Sequence, residues 1–172
     1  MTMPSRKQIR LQNFDYSKGN AYFVTICTYK CARLFGDIVS DEVGAHLRVR
    51  PNHPDKIIEK WLQEIEKKYA NALISAYIIM PDHIHFILQN PGIYDETGAH
   101  IGVPLPEIIK WFKTQTTNEY IRGVKEGLYQ PFDKHIWQRS YFEHVIRDQD
   151  DFVTRRKYIY ENPTRWIQKN QK

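Results

Sequence analysis

The sequence predicts a mixed α+β fold, and three observations carry that prediction. Segments rich in β-branched and aromatic residues alternate with segments whose apolar residues recur at helical spacing. Two of the extended segments are separated only by Pro81-Asp82, which marks an antiparallel hairpin, and the chain shows no internal repeat or low-complexity stretch. At 172 residues it is sized for a single domain, since domains run at roughly 150 residues.

Residues 1–20 form a polar, basic N-terminal segment (Arg6, Lys7, Arg10, Lys18) that closes on the turn signal Lys18-Gly19-Asn20. Ala21 to Thr28 then reads as a strand. From Asp55 to Tyr69, Ile58, Trp61, Leu62, Ile65 and Tyr69 fall on one helical face with Glu and Lys between them. Leu73–Met80 and His83–Gln89 are predicted as a hairpin at the centre of the sheet. Residues 90–104, with two glycines and two prolines, are predicted as a surface loop. A second helix is expected over about Pro106–Arg122, with Leu105, Ile108, Ile109 and Phe112 inward and Lys110 and Lys113 near its outer face. Tyr141–Ile146 is a further strand. Asp148 is placed to cap a last helix whose first turn carries Asp150 and Asp151 and which Asn162-Pro163 is expected to end.

Composition narrows the function. Apolar residues are 41% and charged residues 26%, ordinary globular values that argue against a disordered or fibrous chain. Aromatic residues reach 13% and the net charge is +5, a combination suited to a nucleic-acid surface, where cations meet phosphates and rings stack on bases. No stretch approaches the roughly 18 apolar residues of a membrane helix, and no apolar signal core follows the basic start, so a cytoplasmic protein with no membrane partner is expected. Cys27 and Cys31 are too few for a disulfide framework or a four-thiolate zinc site and read as reduced thiols.

Two constellations are able to carry chemistry. His83 and His85, at i and i+2 on one strand, project from the same face and together suit a divalent metal, although the same spacing occurs on strand faces that bind nothing. A zinc hydrolase usually adds Asp and His just beyond such a pair, and Ile87 and Leu88 stand there instead. On the last helix Tyr158 and Asn162 are one turn apart on one face, with Thr154 and Arg155 a turn earlier. The spacing fits equally a packed aromatic and a helix-terminal amide.

Taken together, Tyr22-Phe23-Val24-Thr25, the stretch Ala76 to Phe86 that contains Met80-Pro81-Asp82-His83-Ile84-His85, and the run from Trp137-Gln138-Arg139 through Tyr141, His144 and Ile146-Arg147 to Tyr158-Ile159-Tyr160-Glu161-Asn162-Pro163 resemble the REP-associated tyrosine transposases. These lie within the single-tyrosine HUH transposases of bacterial insertion sequences, and the resemblance covers roughly residues 20–166.

The resemblance implies a ferredoxin-like, RRM-like antiparallel sheet with helices mainly on one face and the two histidines on a central strand. It implies that His83, His85 and Asn162 hold Mg²⁺ or Mn²⁺ and that Tyr158 is the nucleophile of a single-stranded DNA endonuclease and strand transferase. That enzyme would form a 5′-phosphotyrosine on hairpin or palindromic DNA. Tyr160 lies about 200° around the helix from Tyr158 and cannot easily share the role. Tyr141 is a weaker candidate, on a strand. Lys110, Lys113, Arg139, Arg155, Arg156 and Arg165 are candidate phosphate contacts, and Trp137 and Tyr141 candidate stacking platforms; each also fits a solvated cation or a core aromatic. Insertion-sequence relatives exchange the tyrosine helix within a dimer, whereas REP-associated relatives look self-contained, so monomer and homodimer both stay open. The alternative function is a catalytically silent hairpin-binding module of the same fold. Location with the nucleoid in the cytoplasm follows from either.

Overall fold

Alternation along β1 (Asn20–Cys27) organises the molecule. Tyr22, Val24 and Ile26 are fully buried on one side of the strand, and Phe23 is buried on the other in a separate cluster. The computed structural model describes residues 20–40, 47–50, 54–70, 72–90, 96–97 and 102–170. The basic segment expected at 1–20 therefore lies outside the described residues except for Asn20, as does most of the loop expected at 90–104.

β1 pairs antiparallel with β5 (His83–Asn90) on one side and β6 (Phe142–Ile146) on the other. β4 (Leu73–Ile79) joins beyond β5, so the sheet order is β4-β5-β1-β6. The helices α1 (Pro54–Lys68) and α2 (Leu105–Lys125) lie in the chain between β1 and β4 and between β5 and β6. This is the ferredoxin-like connectivity. Of the expected central hairpin, β5 is central and β4 is an edge strand, with Leu73 and Tyr77 partly exposed.

Ile57, Ile58, Leu62 and Ile65 of α1 and Leu105, Ile108, Ile109 and Phe112 of α2 meet Tyr22, Val24, Ile26, Ile84, Phe86 and Leu88 in the main core. Each fully buried aliphatic or Phe side chain there contributes about 1.5–3 kcal/mol. Gly123 closes the far end of α2, where the Tyr129 ring occupies the place a side chain would take. Two short strands, β2 (Asp37–Ser40) and β3 (Leu47–Arg50), pair as a separate ribbon between β1 and α1 that the sequence reading did not identify.

α3 (Gln149–Asn170) begins as expected, with Asp148 Oδ1 accepting the Asp151 N–H at 2.8 Å. It does not end at Asn162-Pro163. The helix continues through Pro163 to Asn170. Proline removes the hydrogen bond to the Ile159 carbonyl, a cost of about 3 kcal/mol in a helix interior. Here Ile159, Asn162 and Pro163 are all buried and Trp166 half-buried, so tertiary packing offsets that cost. Ile159 joins Phe23, Ala76, Ile87 and Ile146 in the second cluster, which places α3 on the sheet face opposite α1 and α2.

Candidate active site

The second face of the sheet carries the candidate chemistry. His83 and His85 alternate with buried Ile84 on β5, and the register sets Thr25 opposite His85 and Cys27 opposite His83. Directly opposed residues share a face. Thr25 Oγ1 and His85 Nδ1 are 2.7 Å apart, and His83 Nδ1 is bonded to Asp82 Oδ1 at 2.5 Å. Each imidazole is thus anchored through Nδ1, and neither Nε2 makes a hydrogen bond among the described residues. The ring centroids are 4.7 Å apart at an interplanar angle of 72°.

Burial, with the neighbouring His83 adding to it, pushes His85 down to about 3, so its ring is neutral in the physiological range. A neutral imidazole is the form that ligates metals.

α3 lays Tyr158 over this pair. Its ring lies 5.3 Å from His85 and 5.7 Å from Phe23, edge-on to both, while Phe23 stacks on His85 at 5.3 Å. One turn on, Asn162 is 6% exposed and its amide makes no hydrogen bond among the described residues. Among the described residues no group of three or more His, Cys, Asp or Glu converges as a metal site, which leaves two imidazoles and an amide as the available donor set. Two imidazole nitrogens with one amide suit Mn²⁺ better than Mg²⁺, which prefers oxygen ligands, and waters would complete an octahedral shell around either ion. Tyr160 points outward at 59% exposure, as its helical phase requires.

The turn beyond Pro163 adds two residues. Arg165 sets its guanidinium 5.4 Å from the Tyr158 ring centroid while pairing with Glu161 at 2.9 Å. Trp166 packs against His83 at 5.7 Å with Arg33 on its ring. Thr25, Asp82, Phe23, Trp166 and Arg33 were not assigned roles from sequence. Alternation places Thr25 on the face of its strand, yet only the β1/β5 register puts it beside His85.

The candidate DNA contacts separate into groups. Lys110, Arg139 and Arg156 are exposed, and Arg165 stands at the site. Arg155 is half-buried and bonds Asp151 at 3.0 Å, and Asp151 in turn holds His144 at 2.7 Å. Lys113 does not occupy an outer face: its half-buried ammonium donates to the carbonyls of Gln138, Arg139 and Ser140. Burial pushes it down to about 8. Trp137 is no stacking platform either. It is 6% exposed, lies between Phe35 and Phe112, and gives its indole N–H to Thr116 at 2.9 Å.

Comparison with known proteins bears on this arrangement. The family described as Transposase IS200 like matches residues 16–162, a span that includes both histidines, Tyr158 and Asn162. The chain belongs to the IS200-like transposase family. Among relatives, a Haemophilus influenzae protein of no stated function is 27% identical over 172 residues, covering 95% of this chain and 91% of that one. A second H. influenzae protein, provisionally named a REP-associated tyrosine transposase, is 26% identical over 155 residues, covering 88% and 74%. A solved REP-associated tyrosine transposase bound to a REP hairpin superposes with a TM-score of 0.55 at 18% identity, over 91% of this chain and 74% of that one. This last likeness bears on the fold. No helix among the described residues of this family member is long and apolar enough to cross a membrane.

Proposed function

We propose that this IS200-like transposase cleaves and rejoins single-stranded DNA through Tyr158, on hairpin or palindromic substrates of the REP type, in the nucleoid. The observation that carries the reading is the pair of imidazoles held by Nδ1 with both Nε2 atoms free, lying under the Tyr158 ring beside the unpartnered Asn162 amide. With its proton on Nδ1, His85 donates to Thr25 and presents the Nε2 lone pair. His83, His85 and Asn162 would hold Mg²⁺ or Mn²⁺. The bound ion supplies Lewis acidity at the scissile phosphate.

Tyr158 supplies the nucleophile. Its phenol oxygen attacks phosphorus and the bond to the 3′ oxygen breaks. The proton lost by the phenol is balanced by the one the leaving 3′ oxygen gains, so the products are a 5′-phosphotyrosine and a 3′-hydroxyl. One ester replaces another, and attack by a 3′-hydroxyl reverses the step without ATP. Arg165 beside the ring faces the incoming phosphate. Because Tyr158 packs on His85 of its own chain, the reading has the tyrosine acting in cis.

The test is incubation of end-labelled single-stranded hairpins, including palindromes that flank the gene, with Mg²⁺, Mn²⁺ or EDTA, followed by a denaturing protein gel. The expected result is a metal-dependent labelled adduct that survives in Tyr160→Phe and vanishes in Tyr158→Phe. Tight hairpin binding without an adduct under any metal would overturn the nuclease reading in favour of a silent binding module.

A further inference from the structure

Two aromatic residues of α3 mark the two ends of the histidine pair. Tyr158 packs on His85, and Trp166, about 12 Å further along the helix axis by its rise per residue, packs on His83. Beside Trp166 stands Arg33, its guanidinium 5.7 Å from the indole ring. Arg33 belongs to the loop between β1 and β2, and that loop is fastened to the turn before His83. Thr28 N–H donates to the Asp82 carbonyl at 2.8 Å and Phe35 N–H to the Pro81 carbonyl at 3.1 Å. The segment that carries Arg33 is thus tied on both sides to the turn whose Asp82 holds His83. Two other arginines of the site are already engaged, Arg165 with Glu161 and Arg155 with Asp151. Arg33 is exposed and makes no hydrogen bond or ion pair among the described residues. A guanidinium laid on a ring keeps its edge donors in a fixed fork, the geometry that grips a phosphate.

The order of groups along the site sets a strand polarity. In an in-line displacement the attacking and leaving oxygens stand on opposite sides of phosphorus. With the Tyr158 ring at the His85 end, the 3′ oxygen falls at the His83 end, towards Trp166 and Arg33. On the nuclease reading above, cleavage leaves the 5′ strand bonded to Tyr158, whereas the strand with the new 3′-hydroxyl is held by noncovalent contacts alone. A cation at that end keeps it in place for rejoining. In rejoining, the 3′ oxygen attacks phosphorus, the bond to Tyr158 breaks, and the phenol regains the proton that the hydroxyl loses.

We propose that Arg33 binds a phosphate of the strand that carries the 3′ oxygen, the leaving strand in cleavage and the incoming strand in rejoining. Its guanidinium, held on Trp166, meets that phosphate at the end of the site away from Tyr158. The proposal rests on the nuclease reading, and its test separates the two.

Single-stranded substrates with one phosphate at a time replaced by an uncharged methylphosphonate are titrated by anisotropy against full-length Tyr158→Phe, with and without Arg33→Ala. The scissile position is read from the wild-type adduct. One phosphate on the 3′-oxygen side of it is expected to lose affinity about tenfold on replacement, the scale of one charge-assisted hydrogen bond. That loss should be absent with Arg33→Ala and partly retained with Arg33→Lys, which keeps the charge but not the fork. In a second measurement the adducts of wild type and Arg33→Ala are supplied with a 3′-hydroxyl oligonucleotide. Arg33→Ala should need about tenfold more of it for half-maximal rejoining, with little change in the rate at saturation. Arg33 lies outside the core, and the circular dichroism spectrum of each variant checks folding. Methylphosphonate penalties that are the same with and without Arg33 overturn the proposal, as does an Arg33-dependent position on the 5′ side. Half-maximal rejoining at an unchanged concentration also overturns it and leaves the nuclease reading standing. An Arg33-dependent penalty with no adduct under any metal keeps the phosphate site and removes the nuclease reading.

Discussion

Replacing Thr25 by valine tests whether the register between β1 and β5 serves the site as well as the fold. The change keeps the β-branched shape and removes one oxygen, the one 2.7 Å from His85 Nδ1. His85 is only 5% exposed, so water cannot readily take the hydroxyl's place. A buried polar group that loses its partner costs about 1–3 kcal/mol, and the methyl that replaces the hydroxyl recovers part of this, which puts the expected loss at about 1–2 kcal/mol. For a chain of this size that is a fall in Tm of about 2–8 °C. Function should suffer more than stability, because the bond also orients the His85 ring, and with the proton on Nδ1 it leaves the Nε2 lone pair free. Loss of such a supporting contact typically lowers metal affinity or activity 10–100-fold. Differential scanning calorimetry gives the first number. Mn²⁺ titration followed by electron paramagnetic resonance, together with the rate of adduct formation, gives the second. Thr25→Ser restores the oxygen and should recover most of the affinity. If Thr25→Val binds Mn²⁺ and cleaves like the wild type, His85 is not positioned through Nδ1 and the argument fails. Equal loss in Val and Ser variants would assign the effect to the missing shape instead.

Gly123→Ala should be poorly tolerated, since the added Cβ would come within 2.0 Å of the Tyr129 ring; overpacking of this kind costs about 1–3 kcal/mol and is read from the urea midpoint. Lys113 gives a pH signature. Its folded-state value, pushed to about 8, lies below the ordinary 10.5, so between those values the unfolded chain binds more protons and stability should rise with pH. Denaturant titrations of wild type and Lys113→Met from pH 7 to 10 should diverge in that direction, and parallel curves would show that the three carbonyls keep the ammonium charged. Removing the indole in Trp166→Ala should lower adduct yield more than hairpin affinity, because Trp166 contacts His83; an equal drop in both would make it a DNA contact instead.

Much of this was legible because it repeats with a period. Alternation exposed β1 and put His83 and His85 on one face, and the three-and-four spacing of Ile58, Leu62 and Ile65 exposed α1. The ribbon β2–β3 escaped because each strand is only four residues long, too short for alternation to stand out. Local rules failed where tertiary packing outweighs them. The Asn162-Pro163 stop is a sound local inference, overridden by burial of both residues. Lys113 was assigned outward because lysine on an amphipathic helix usually is, and no sequence pattern announces a segment whose carbonyls need a cation. Trp137 illustrates the opposite error, since an aromatic in a basic protein looks like a base platform until the core around it is seen.

The continuation of α3 past Pro163 is what makes the site a site. A helix ending at Asn162 would leave Tyr158 on its last turn, free to fray, whereas the observed helix is held at both ends. At its start Asp151 joins His144 of β6 to Arg155, whose guanidinium lies 5.8 Å from the Phe23 ring. Beyond the proline Trp166 rests on His83. Tyr158 and Asn162 sit between these anchors on the same stripe as buried Ile159. The nucleophile role proposed for Tyr158 demands a position held to within about 0.5 Å, and contacts to Phe23, His85 and Arg165 on a doubly anchored helix suit that demand. The proline's lost hydrogen bond is thus the local cost of carrying the helix far enough to hold the tyrosine still.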